Sequence, residues 1–65
     1  MKLFRTANKS NTEFFINLEN VTAVHKDNVD NTAIIECIGS DEDRTYFTNE
    51  PFDSLIRRLM MGEWI

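Results

Sequence analysis

Sixty-five residues make one domain, and a chain this short hides only about 60% of its unfolded surface. Cys37 is the only cysteine and His25 the only histidine, which excludes an internal disulfide and a structural zinc, which typically needs four Cys/His ligands. Apolar and charged contents of 42% and 28% are ordinary for a globular protein, and a net charge of −4 argues against general attraction to nucleic-acid backbones or anionic membranes.

The chain reads as strands followed by one helix. Lys2 to Thr6 is the first predicted strand, ending at the turn-rich run Ala7-Asn8-Lys9-Ser10-Asn11-Thr12. Glu13 to Asn17 is the second, with Phe14 and Ile16 on one face and Phe15 on the other. Leu18-Glu19-Asn20 is a bend or short helical turn before a third strand, Val21 to Lys26. Asp27-Asn28-Val29-Asp30-Asn31 is a strong loop signal. The fourth strand, Thr32 to Ile38, sets Ala33/Ile35/Cys37 against Ile34/Glu36/Ile38. After the loop Gly39-Ser40-Asp41-Glu42-Asp43 comes a fifth strand, Arg44 to Thr48.

From Pro51 to Met61 the spacing changes to that of a helix. Phe52, Leu55, Ile56, Leu59 and Met60 fall in one stripe, while Asp53, Arg57 and Arg58 turn away from it. Pro51 suits the first helical position, with Glu50 as the cap before it. Gly62 can end the helix in the left-handed conformation, leaving Glu63-Trp64-Ile65 as a projecting tail. Short loops favour antiparallel hairpins. The expected fold is α+β: a twisted antiparallel sheet of four or five strands, a meander, with one C-terminal α-helix packed on one face.

Chemistry has little to work with. His25 and Cys37 lie on different strands, and no nucleophile motif surrounds the cysteine. Cys37 is expected in the core as a small hydrophobe. The carboxylates of Asp27, Asp30, Glu36, Asp41, Glu42 and Asp43 form an acidic run without a base. In a meander its loops lie at opposite ends of the sheet, and the EF-hand spacing is missing, so solvated loops are expected. With Gly39 and Gly62 the only glycines, a phosphate-cradling loop is excluded. No catalytic residue, metal ligand or cofactor is assigned.

The apolar inventory is more telling. Phe14-Phe15-Ile16 and Ala33-Ile34-Ile35 put apolar side chains on both pleats, whereas a strand with one solvated face should alternate cleanly. One helix can dry one face. Self-association is therefore expected, as a sheet-to-sheet homodimer, with Phe15 and Ile35 on the open face and Met61, Trp64 and Ile65 as a second contact patch.

The segment Phe15-Ile16-Asn17-Leu18-Glu19-Asn20-Val21-Thr22-Ala23-Val24 runs aromatic, aliphatic, Asn, any, acidic, any, aliphatic, two spacers, aliphatic. It resembles the start of the small bacterial flagellar and swarming-motility accessory family, which also continues with a hairpin and ends in a short helix. The likeness spans about Phe14 to Leu59. That family commonly has proline where Leu18 stands, and a tight Asp-Gly turn where this chain has Ser40-Asp41-Glu42-Asp43. The resemblance implies a non-enzymatic accessory role and carries no functional residues across. The expected function is thus a non-catalytic interaction module of bacterial or phage type, binding a protein partner or itself. The alternative is an acidic inhibitor or nucleic-acid mimic. Neither nucleic acid nor membrane is an expected partner. The start Met1-Lys2-Leu3-Phe4-Arg5 lacks the apolar run of a signal peptide, so a cytoplasmic location is expected.

Overall fold

The computed structural model describes residues 1–39 and 43–65, with Asp43 described by its backbone. Strands β1 (Leu3–Ala7) and β2 (Glu13–Asn17) form one antiparallel hairpin, with Phe4 opposite Ile16 and Arg5 opposite Phe15. Its turn is closed by Asn8, whose side-chain oxygen accepts from the Ser10 and Thr12 amides, and by Asn11 at φ 64°. Strands β3 (Val21–Lys26), β4 (Thr32–Ile38) and β5 (Asp43–Pro51) form a second antiparallel sheet in that order. A 3-10 turn, Leu18–Asn20, joins the two sheets, and the Asn17 side chain caps it by accepting from the Glu19 amide at 3.0 Å.

This corrects the single meander. The turn after β2 does not fold the chain back beside it; it carries the chain into a separate sheet. The two sheets touch at one ladder position, Asn8 with Thr48, and share one core. Phe4 and Ile16 come from the hairpin, Ala33, Ile35 and Cys37 from β4, and Leu55 from the helix. Phe14 and Tyr46 stack across the join with ring centroids 5.2 Å apart. The inward pleat of β4 is buried for this reason: the first hairpin roofs it as well as the helix. Thr48, fully buried, satisfies its hydroxyl on the Ala33 carbonyl at 2.8 Å.

Helix α1 (Phe52–Met60) packs against β4 and β5 through Leu55, with Phe52 and Leu59 partly buried beside the core. Met60, expected in the buried stripe, is the last residue of the helix and is 82% exposed. Pro51, not Glu50, is the capping residue, and the Phe52 amide finds the Asn31 carbonyl at 2.9 Å. Gly62 takes the left-handed conformation, φ 73°, with its amide on the Leu59 carbonyl and the Glu63 amide on that of Arg58. The tail does not project. Gly62 turns it back on β1, where Leu3 and Ile65 exchange amide-to-carbonyl hydrogen bonds of 2.6 and 2.9 Å and Trp64 reaches the core's edge.

Candidate functional site

The outer face of the β1–β2 hairpin and the returning tail together form a groove of about 420 Å³. Leu3, Phe15, Trp64 and Ile65 supply its apolar lining, and Arg5, Arg58 and Glu63 its charge. Leu3, Arg5 and Phe15 share one side of the hairpin because inward Phe4, Thr6 and Ile16 take the other. Phe15 is 54% exposed and sits directly across from Arg5. Lys2 places its ammonium 5.2 Å from the Trp64 ring centre.

Three of the residues predicted for a contact surface, Phe15, Trp64 and Ile65, therefore meet in one place. Met61 is exposed on the helix's C-terminal cap and does not line the groove. Ile35 does not belong to any surface: at 1% exposure it is a core residue, on the pleat covered by the hairpin. Sequence reasoning placed Arg58 on an open helix face. Instead its guanidinium lies 4.4 Å over the Phe4 ring, donates to Glu50 Oε1 at 2.7 Å and to the Arg5 carbonyl at 2.7 Å, and stands 3.7 Å from Glu63. Thr6 also donates to Glu50 Oε1, at 3.1 Å. One arginine thus ties helix, β1, β5 and tail at the groove's floor. Nothing local in the sequence distinguishes Arg58 from Arg57.

A second apolar strip lies on the outer face of the three-stranded sheet. Ile34 and Phe47 are direct cross-strand partners, and Ile38 is exposed further along β4. The hydrogen-bonded pair of His25 and Glu36 interrupts the strip. His25 is on this outer face, while Cys37 is buried on the inner one, so the sheet itself separates the two groups. Burial pushes the Cys37 thiol above its ordinary value.

Among the described residues of the acidic run, Asp27 and Asp30 share one cation. Lys9 reaches across from the first hairpin turn to pair with Asp30, lies 3.8 Å from Asp27 and donates to Thr32 Oγ1 at 2.8 Å. Asp30 also accepts from the Thr32 hydroxyl and amide. These bonds, that of Lys9 above all, hold the Asp30 carboxyl well below the usual carboxylate range. Asp41, Glu42 and the Asp43 side chain, the other half of the predicted acidic run, lie outside the described residues. Among the described residues no three His, Cys, Asp or Glu side chains converge on a metal position, and no helix is long and apolar enough to cross a membrane. Comparisons with protein-family models, curated proteins and solved structures find no match to this chain.

Proposed function

We propose that the chain is a non-catalytic, cytoplasmic accessory module that works through protein–protein contacts and pairs with a second copy of itself. The observation that carries this reading is the groove on the β1–β2 hairpin, where exposed Phe15 stands beside Leu3, Trp64 and Ile65. Burying one such side chain contributes about 1.5–3 kcal/mol, against roughly 3–5 kcal/mol for the whole core of a domain this small. Water contact at this spot is expensive on the scale that matters here. Arg5, Arg58 and Glu63 add charge to the lining, a mixture of apolar and polar groups that suits an interaction surface. Lys9 pairs with Asp30 and lies beside Asp27, which reduces the negative charge that the acidic-mimic alternative needs at that end of the sheet.

Sedimentation of the wild-type chain and of Phe15→Glu over a concentration series tests the reading. The wild type should gain mass with concentration; the variant should stay a single copy with an unchanged circular dichroism spectrum. A wild type that remains a single copy throughout rules out the self-pairing.

A further inference from the structure

Resting on that reading, we infer that the second copy docks by adding its β2 edge to this one, antiparallel and centred on Phe15, to make a continuous four-stranded sheet from two hairpins. The hydrogen-bond parity of the hairpin sets this up. The Leu18 amide bonds the Lys2 carbonyl and the Asn8 amide bonds the Thr12 carbonyl, both in the same register as Phe4 opposite Ile16. In an antiparallel ladder bonded and non-bonded rows alternate. Phe14 and Ile16 therefore spend their amides and carbonyls on β1, and those of Glu13, Phe15 and Asn17 point the other way. Among the described residues no strand pairs with that outer edge. On the far side of β1 the same parity is already in use: Leu3 exchanges bonds with Ile65, and the Arg5 carbonyl accepts from Arg58.

The edge is complementary to itself. With a two-fold axis at Phe15, that residue faces its own copy, and Glu13 faces Asn17 on both sides of the axis. Each outward amide then meets a carbonyl. Glu13, an acceptor, meets the amide group of Asn17, whose own oxygen is already occupied by the Glu19 amide. No like charges are opposed. The two Phe15 rings come together on the outer face, each flanked by its own Arg5, and extend the groove lining into one apolar strip. An isologous contact of this kind closes after two copies.

The outer edge of β3 is built differently. β3 carries a register shift between Val21 and Ala23, the exposed polar ring of His25 and the exposed charge of Lys26, features that discourage strand addition. β2 has a regular register throughout and no charge between Glu13 and its end. Between the β2 and β3 edges, a self-associating chain has reason to use that of β2.

Amide hydrogen exchange read by NMR on dilute and concentrated wild-type protein tests the docking mode. With nine in ten chains paired, exchange at Phe15 should slow about tenfold, since only the unpaired tenth stays open. Glu13 and Asn17 should follow, while Phe14 and Ile16 are protected at both concentrations. A second variant, Glu13→Pro, removes one outward amide at the first residue of an edge strand, where proline is tolerated, and leaves the β1 ladder intact. It should weaken pairing at least about tenfold with Phe15 still in place. Mass doubling without protection at Phe15, or undiminished pairing of Glu13→Pro, overturns the edge docking and leaves the self-pairing standing. Absence of any mass gain in the wild type overturns both.

Discussion

The guanidinium of Arg58 lies 4.4 Å from the ring of Phe4, a fully buried residue 54 positions earlier in the chain. The arginine closes the core at the point where the hairpin, β5 and the helix meet, and its hydrogen bonds to Glu50 and the Arg5 carbonyl fix the distance between them. Its aliphatic stem and flat head cover apolar surface while the nitrogens reach polar atoms, a combination lysine cannot reproduce. Arg58→Ala should therefore cost more than a surface salt bridge would. Losing a charged hydrogen bond to the half-buried Glu50 is worth about 1.5–3 kcal/mol. Urea denaturation should show that loss, with Arg58→Lys recovering only part of it. Adding Glu50→Gln to Arg58→Ala should cost less than the sum of the two single changes, because the carboxylate is then no longer stranded.

Leu55 and Met60 separate the docked and free parts of the helix. Leu55 is wholly buried, and Leu55→Ala should cost about 2–5 kcal/mol, enough to unfold most of a domain with roughly 3–5 kcal/mol to spend. Met60→Ala should stay within about 0.5 kcal/mol of the wild type. Thermal melts followed by circular dichroism read both. Similar melting points for the two variants would mean that the helix rests on the sheets in another rotation.

Local order was legible because its signals are local. Glu13–Asn17, Val21–Lys26 and Thr32–Ile38 are bounded by turn residues, and those strands have the limits the sequence sets. Gly62 ends the helix as expected, since left-handed backbone favours glycine. Period-two alternation also shows that Ala33, Ile35 and Cys37 share a face. It does not say which face is covered, and Ile35 went to the interior once the first hairpin proved to be a separate layer. The same gap explains the tail. Its docking depends on a register between Leu3 and Ile65 that no short-range pattern encodes. Of the groove, Phe15, Trp64 and Ile65 could be read from the sequence as apolar contact residues, and Leu3 and the charged half could not. Arg5 looked like any strand residue, and the partners of Arg58 are far away along the chain.

The Lys9–Asp30 bridge predicts a particular pH response. Its carboxyl is held below the ordinary aspartate value of 3.8, so folding favours the ionised form. The stabilisation is fully present above that value and is lost as the pH falls through the acid range below it. Lys9→Met should be less stable than the wild type at neutral pH, and the gap should narrow as the solution is acidified. Added salt should narrow it too, since the pair is exposed to solvent. Stability curves in urea at several pH values check this. A gap that is the same at every pH would mean that Lys9 acts through packing and not through its charge.

Cys37 offers a probe of the core that needs no mutation. It is buried beside Ile35, and burial raises its thiol above the ordinary range, so both access and ionisation oppose reaction in the folded chain. A thiol reagent at neutral pH should reach it only when the sheets part. For a stability of roughly 3–5 kcal/mol, labelling should then be slower than in urea on the order of 10²–10⁴-fold. Leu55→Ala should erase most of that protection, because the helix that it loosens roofs the same inner pleat. Phe15→Glu should leave the protection intact, since Phe15 is on the opposite side of the hairpin from the core. Fast labelling of the native wild type would place Cys37 at the surface and turn β4 over, exchanging the roles of Ile34 and Ile35.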